Sequence, residues 1–349
     1  SVLSARIKNQ QESSSQENRC IQLSEIPTEI LLSSESLTLK ELQIPREKLS
    51  LGSLQIVKHG RNWSIYRAKL ETENSGKTKS VILKALQDLV SLQEVEDFLG
   101  RIKFHQNLGY HENLVELVGC CVDRFPLYMI MEDVSLGDLL KFLWTCRKDV
   151  MTMDNFPYDL TERQVYEIGQ QVAAALVSLS DLLSFCFLFD CNISPHDCLD
   201  FLNIGREDAV FTEMVPVKWQ APERFLKNPP SIKADIWSFG ILLYEMITLG
   251  DPPYPEVQPS DILPYLQRRN VMKQPSNCQQ AMYSIMKSCW QWNATDRPSP
   301  SDLIQSLQTA MKTSNDQRVL QVPELVVPEL YADVTGVAMD SLLSDYTVL

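Results

Sequence analysis

The sequence has no excess of positive charge. Its 349 residues carry 45 Asp and Glu against 32 Lys and Arg, a formal net charge of -13. Such a chain repels phosphate backbones and anionic lipid heads, which argues against nucleic-acid binding and against adhesion to a membrane surface. A disulfide ladder is missing too. The nine Cys include no CxxC pair; Cys120 and Cys121 are adjacent and the others are scattered. That usage suits a reducing intracellular compartment. No apolar run reaches the length of a membrane span. The longest, around Leu182 to Phe189, is short and is followed at once by Asp190. No secretory leader is present, and the chain opens on Ser1 rather than Met, so its start says little about an anchor upstream.

What is present suits a globular body. With 44% hydrophobic residues the chain can bury one large two-lobed domain or two small ones. Residues up to about Ser34 are rich in Ser, Gln, Asn and Glu without periodicity, and read as disordered. From Leu51 to Ala85 come short β-rich runs, strongest at Ile56-Val57, Trp63 to Tyr66 and Val81 to Leu83. Gln93 to Lys103 reads as a helix, and Leu114 to Cys121 and Leu127 to Glu132 as two more strands. Thr161 and Gln164 have the spacing of a capping box, and Val165, Ile168, Val172, Leu176 and Leu179 behind it form one apolar face. Ile236 to Ile247 is apolar nearly all round, as in a helix buried within a lobe, until Gly250 and Pro252-Pro253 stop it. The class is α+β. The boundaries run 1–45 for an irregular leader, 46–132 for a small β-rich lobe with one helix, 133–312 for a larger helical lobe and 313–349 for an acidic tail.

Three local motifs occur in order. They are Val215-Pro216-Val217-Lys218-Trp219-Gln220-Ala221-Pro222-Glu223, then Asp235-Ile236-Trp237-Ser238-Phe239-Gly240, then Cys289-Trp290 followed by Asp296-Arg297-Pro298-Ser299. Together they resemble the end of the activation segment, the buried large-lobe helix and the closing motif of the protein-tyrosine-kinase family. The resemblance covers about Leu49 to Met311 and implies a two-lobed kinase fold. Ser80 to Leu86, Asp97 to Gln106, Phe142 to Asp154 and Gln321 to Tyr331 are similar to one branch of that family, whose members carry a single membrane span upstream. This implies a location at the cytoplasmic face of a membrane if such a span exists, and a cytoplasmic one otherwise. By the same resemblance Glu223 and Arg297 form a buried ion pair, Asp235 accepts hydrogen bonds from the catalytic-loop backbone, and Met131 is the gatekeeper of the nucleotide pocket.

The nucleotide positions are altered. A kinase covers ATP phosphates with a Gly-rich loop, because only Gly lets backbone amides approach so closely. The three glycine positions fall on Lys58, Gly60 and Trp63, so only Gly60 survives. Lys84 matches the phosphate-pairing strand lysine, but the helix position that should supply its Glu partner is Arg101. Two cations repel where an ion pair should lock the active state. Lys84 is then either a degraded ATP contact or a strand lysine with no ligand.

The catalytic loop departs further. Leu188 to Leu199 aligns without gaps on the tyrosine-kinase loop, so the His of its His-Arg-Asp motif becomes Asp190. The Asp that accepts the substrate proton becomes Asn192, and the metal-binding Asn becomes Asp197. An amide takes up no proton near neutral pH, so Asn192 is no general base. A rival register places His196-Asp197 and Asn203 on the loop but loses the gapless match. The Asp-Phe-Gly motif falls on Asn203-Ile204-Gly205, and Asn is a poor Mg²⁺ ligand. The segment after it has no Tyr, and Thr212 is its only Thr. Cys186, Cys191, His196 and Cys198 fit no common zinc spacing and read as structural.

The chain ends Ser344-Asp345-Tyr346-Thr347-Val348-Leu349. Tyr346 with Leu349 resembles a phosphotyrosine motif read by SH2 domains or an endocytic sorting signal. The free end also fits a PDZ ligand. Three readings stay open. The first is a pseudokinase scaffold with no cofactor, binding SH2- or PDZ-type signalling proteins through its tail. The second is a weak tyrosine kinase using ATP and Mg²⁺. The third is a damaged sequence across residues 184–210.

Overall fold

The computed structural model describes residues 39–59, 63–72, 77–86, 92–133, 139–147, 159–180, 217–225, 231–314 and 318–322. They divide into two compact units. The first takes its described residues from 39–103 and 118–130, the second from 104–117 and from 131 onward.

The first unit is built on a five-stranded antiparallel sheet. Its strands are β1 (Leu49–His59), β2 (Trp63–Glu71), β3 (Thr78–Leu86), β4 (Leu117–Cys121) and β5 (Leu127–Glu132), in spatial order β1-β2-β3-β5-β4. β2 and β3 pair without interruption from Trp63 opposite Leu86 to Glu71 opposite Thr78. β3 alternates as a strand must. Val81, Leu83 and Ala85 join a core cluster with Leu49, Ala68, Leu70, Cys121, Tyr128 and Ile130. Ile82, Lys84 and Leu86 point the other way and are buried as well, so both faces of β3 are covered. The helix α1 (Leu92–Leu108) buries Val95, Phe98, Leu99 and Ile102 at helical spacing.

Packed chain begins before residue 46. Gln43 bridges Cys120 in parallel, Ile44 N donates to Cys120 O at 2.9 Å, and Leu39 is 2% exposed. After a 3-10 turn over Lys40–Leu42, Gln43 and Ile44 thus add a single bridge to β4. Arg46 then clamps the β4–β5 connection. Its Nε donates to Asp123 Oδ1 at 2.8 Å and its Nη2 to Pro126 O at 2.8 Å, while the guanidinium lies 4.8 Å from the Tyr128 ring centroid. Residues 1–38 of the expected leader lie outside the described residues.

The second unit is helical. It comprises α2 (Leu139–Thr145), α3 (Glu162–Ser180), α4 (Pro222–Phe225), α5 (Ile232–Ile247), α6 (Ile262–Gln267), α7 (Gln280–Cys289) and α8 (Pro300–Met311). The capping box of α3 forms both ways: Gln164 N donates to Thr161 Oγ1 at 3.3 Å, and Thr161 N to Gln164 Oε1 at 2.8 Å. α5 begins on an N-cap at Ser231 and is buried along nearly its whole length. It runs against α7 so tightly that a Cβ at Gly240 would lie 2.6 Å from Trp290 Nε1. Gly250, at φ 85°, turns the chain after α5 where a side chain would be strained. Beyond α8 the chain returns: Leu320 N donates to Leu160 O at 2.8 Å and Leu320 is buried. The packed chain therefore runs past residue 312. Among the described residues no helix is long and apolar enough to cross a membrane.

Candidate active site

Lys84 stands at the centre of the small-lobe sheet, opposite Ile65 of β2 and 2% exposed. A lysine stays buried there only because charge or hydrogen bonding compensates its lost hydration. Arg101, in the same unit, is 4% exposed. It follows Phe98 by three residues and precedes His105 by four, so it belongs to the buried stripe of α1 and not to its solvent side. Lys84 and Arg101 are thus two buried cations in one unit. Met131 lies on β5 and is buried. Trp63 opens β2. Gly60, Asn192, Asp197, Asn203, Tyr346 and Leu349 lie outside the described residues, as do Cys186, Cys191, His196 and Cys198.

The large-lobe frame is better defined. Arg297, wholly buried, donates Nη1 to Glu223 Oε1 at 2.6 Å and Nη2 to Glu223 Oε2 at 2.8 Å. Its remaining donors reach Gln291 O at 2.8 Å and Lys233 O at 2.7 Å, and its guanidinium lies 5.1 Å from the Trp237 ring. Every face of the guanidinium is occupied, which is how a buried charge is tolerated. Asp235, on the first turn of α5, is 1% exposed. The catalytic loop assigned to it lies outside the described residues.

Sequence reasoning missed two anchors of the same segment. Lys218 is buried and donates Nζ to Tyr254 O at 2.8 Å. Trp219 Nε1 donates to Glu245 Oε2 at 3.0 Å, while Ser238 Oγ donates to Trp219 O at 2.9 Å. Glu245 left a signal, as a carboxylate late in an otherwise apolar helix.

Among the described residues the thiols show no catalytic tuning. Burial pushes Cys120 up to about 12, Cys121 to about 11, Cys146 to about 11, and Cys278 and Cys289 to about 12. At neutral pH these are inert packing residues. Among the described residues no group of three His, Cys, Asp or Glu side chains is placed to hold a metal ion.

The family model for protein tyrosine and serine/threonine kinases matches residues 52–182 and 205–307. This chain belongs to that family. It is 52% identical over 342 residues to tyrosine-protein kinase STYK1 of Homo sapiens, covering 95% of this chain and 81% of that protein. With the Mus musculus STYK1 the identity is 48% over 361 residues, covering all of this chain and 84% of that protein. The branch singled out by Ser80 to Leu86 and Asp97 to Gln106 is this one, also called novel oncogene with kinase domain. More distant is the transforming protein Abl of Abelson murine leukemia virus, 30% identical over 244 residues, 68% of this chain and 32% of that protein. Residues 183–204, which carry Asn192, Asp197 and Asn203, fall between the two matched stretches.

Proposed function

We propose that this chain is a pseudokinase of tyrosine-kinase type that works as a scaffold for signalling proteins. The observation that carries this reading is where the family match breaks. It holds through the fold-bearing residues and lapses over 183–204, the stretch with Asn192 in place of the general base and Asn203 in place of the metal-binding Asp. The buried cations Lys84 and Arg101 support it from the other lobe.

ATP with Mg²⁺ would supply the phosphoryl group and the metal that neutralises its charge. The residues present do not fit that pair. Arg101 stands where a carboxylate should fix Lys84, and the sequence offers one carboxylate, Asp197, at the metal positions. The tail from residue 323, ending in Tyr346 and Leu349, serves in this reading as the partner-binding element for SH2- or PDZ-type domains. An upstream anchor would place the domain at the cytoplasmic face of a membrane.

A weakly active tyrosine kinase is the second reading, favoured by the retained Lys84 and by the name borne by the relatives at about half identity. Phosphotransfer separates them. Purified protein should phosphorylate neither itself nor a generic tyrosine substrate above the level of Lys84→Met, with melting temperature measured in parallel because Lys84 is buried. Activity that disappears with Lys84→Met establishes the second reading instead.

A further inference from the structure

Residues 318–322 turn back along the second unit and fix where the acidic tail leaves it. Val319 bridges Thr161, and Leu320 is clipped to Leu160. The fully buried Glu162 feels the charge of Arg318 and accepts the amide of Gln279, and Arg318 also acts on Cys278. Cys278 O in turn accepts from Gln274 Nε2 at 2.9 Å. Gln274 belongs to the wall of an open groove of about 640 Å³. Arg318, at the root of the tail, therefore lies near the turn that carries Gln274.

The groove is aromatic. Tyr244, Tyr254 and Tyr265 line it, the last two meeting edge to face with centroids 5.8 Å apart. Tyr254 is 3% exposed and its hydroxyl has no hydrogen-bond partner among the described residues. The charged lining is divided along the chain. Glu256 and Asp261 come before α6, while the exposed Arg268 and Lys273 come after it. Six residues of helix separate Asp261 from Arg268, about 9 Å at 1.5 Å per residue, and Lys273 adjoins Gln274 in the chain.

The tail has the matching chemistry. It repeats Val-Pro-Glu-Leu at residues 322–325 and 327–330. From Val319 onward it has five carboxylates and no basic side chain. Proline fixes an extended backbone, and aromatic grooves take such segments at low entropic cost. Eight residues in that form span about 25 Å.

We propose that residues 323–330 dock in this groove of their own chain, with Glu324 and Glu329 toward Arg268 and Lys273 and the leucines on the tyrosines. The docked segment sets how far the terminal Tyr346 can travel from the domain. This holds whether or not the chain transfers phosphate.

Photocrosslinking in the full chain tests it, with Leu325 replaced by p-benzoylphenylalanine and adducts mapped by mass spectrometry. Intrachain adducts to residues 254–275 are expected. Arg268→Glu with Lys273→Glu should lower their yield roughly fivefold or more, as removal of two exposed charge pairs allows. Glu324→Lys with Glu329→Lys in the same chain should restore it, which an unfolded variant would not. The proposal is overturned by adducts mapping elsewhere, by a yield indifferent to the reversal, or by a loss that the swap fails to repair. Adducts between two chains that grow with concentration also overturn it, since the occupant is then a second copy.

Discussion

Arg297 and Glu223 form a two-point ion pair, with N–O distances of 2.6 Å and 2.8 Å, across 74 residues of sequence. The Arg297 side chain is 0% exposed and that of Glu223 is 16% exposed. Arg297→Ala strands a carboxylate and leaves the carbonyls of Gln291 and Lys233 without that donor. The expected cost in denaturant unfolding is about 3–5 kcal/mol. Glu223→Gln keeps one acceptor and should cost less. A loss under about 1 kcal/mol for Arg297→Ala would remove this pair from the stabilising frame.

Glu162 makes stability depend on pH. Burial raises its carboxyl above the ordinary range near 4.5, and Arg318, the Gln279 amide and the Tyr166 hydroxyl only partly offset this. The folded chain then holds the proton more tightly than the unfolded one. Its stability falls as pH rises from about 4.5 through the folded value, and stays lowered above it. Glu162→Gln cannot ionise. Its melting temperature should exceed that of the parent at pH 7, with the gain shrinking toward zero below pH 4.5. A variant less stable than the parent at pH 7 would mean that the charge of Arg318 outweighs burial.

Gly119 is where the segment 39–44 presses on β4. A Cβ there would lie 2.5 Å from Ile44 Cδ1 and 2.7 Å from Leu42 O. The second neighbour is backbone and cannot swing aside. Gly119→Ala should therefore cost about 1–3 kcal/mol as overpacking does. It should also speed tryptic cleavage after the exposed Lys40. Unchanged stability and cleavage would show that residues 39–44 contribute nothing to the first unit.

The parts of the fold legible in sequence were those with a local rule. The Thr161–Gln164 box, the apolar stripe behind it and the all-round apolar α5 each repeat within a few residues, and each formed. Element ends were less legible. α1 runs on from Lys103 to Leu108, and β4 starts at Leu117 rather than Leu114. The short packed pieces 39–44 and 318–322 had no signature, because what fixes them are partners far along the chain, Cys120 and Leu160. Arg46 shows the same limit, since its partners lie more than 70 residues away. At the candidate site the sequence showed a cation, Arg101, where the family resemblance implies Glu, but not its burial. Helical position alone cannot say whether a long cationic side chain lies under the sheet or snorkels out to water.

The nucleotide test follows from that exchange. In a competent small lobe a Glu neutralises the strand lysine and leaves its ammonium aimed at phosphate. In the pseudokinase reading that position belongs to Arg101, a buried guanidinium in the same unit as the buried ammonium of Lys84, so it offers no carboxylate to fix Lys84. Saturating ATP with Mg²⁺ should leave the melting temperature unchanged. A ligand present at 100 times its dissociation constant would add about 2.7 kcal/mol, a rise of several degrees that no such scan could miss. Arg101→Glu alone restores one contact of several, and Asn192→Asp alone restores a base with no placed phosphate to act on. Groups that work as a unit do not return their rate one at a time. Neither single variant should phosphorylate a generic tyrosine substrate above background. Arg101→Glu, Asn192→Asp and Asn203→Asp combined are the least set that rebuilds lysine partner, base and metal ligand together. Transfer by either single variant would mean that the native site already places nucleotide, and would shift the balance to the weak-kinase reading.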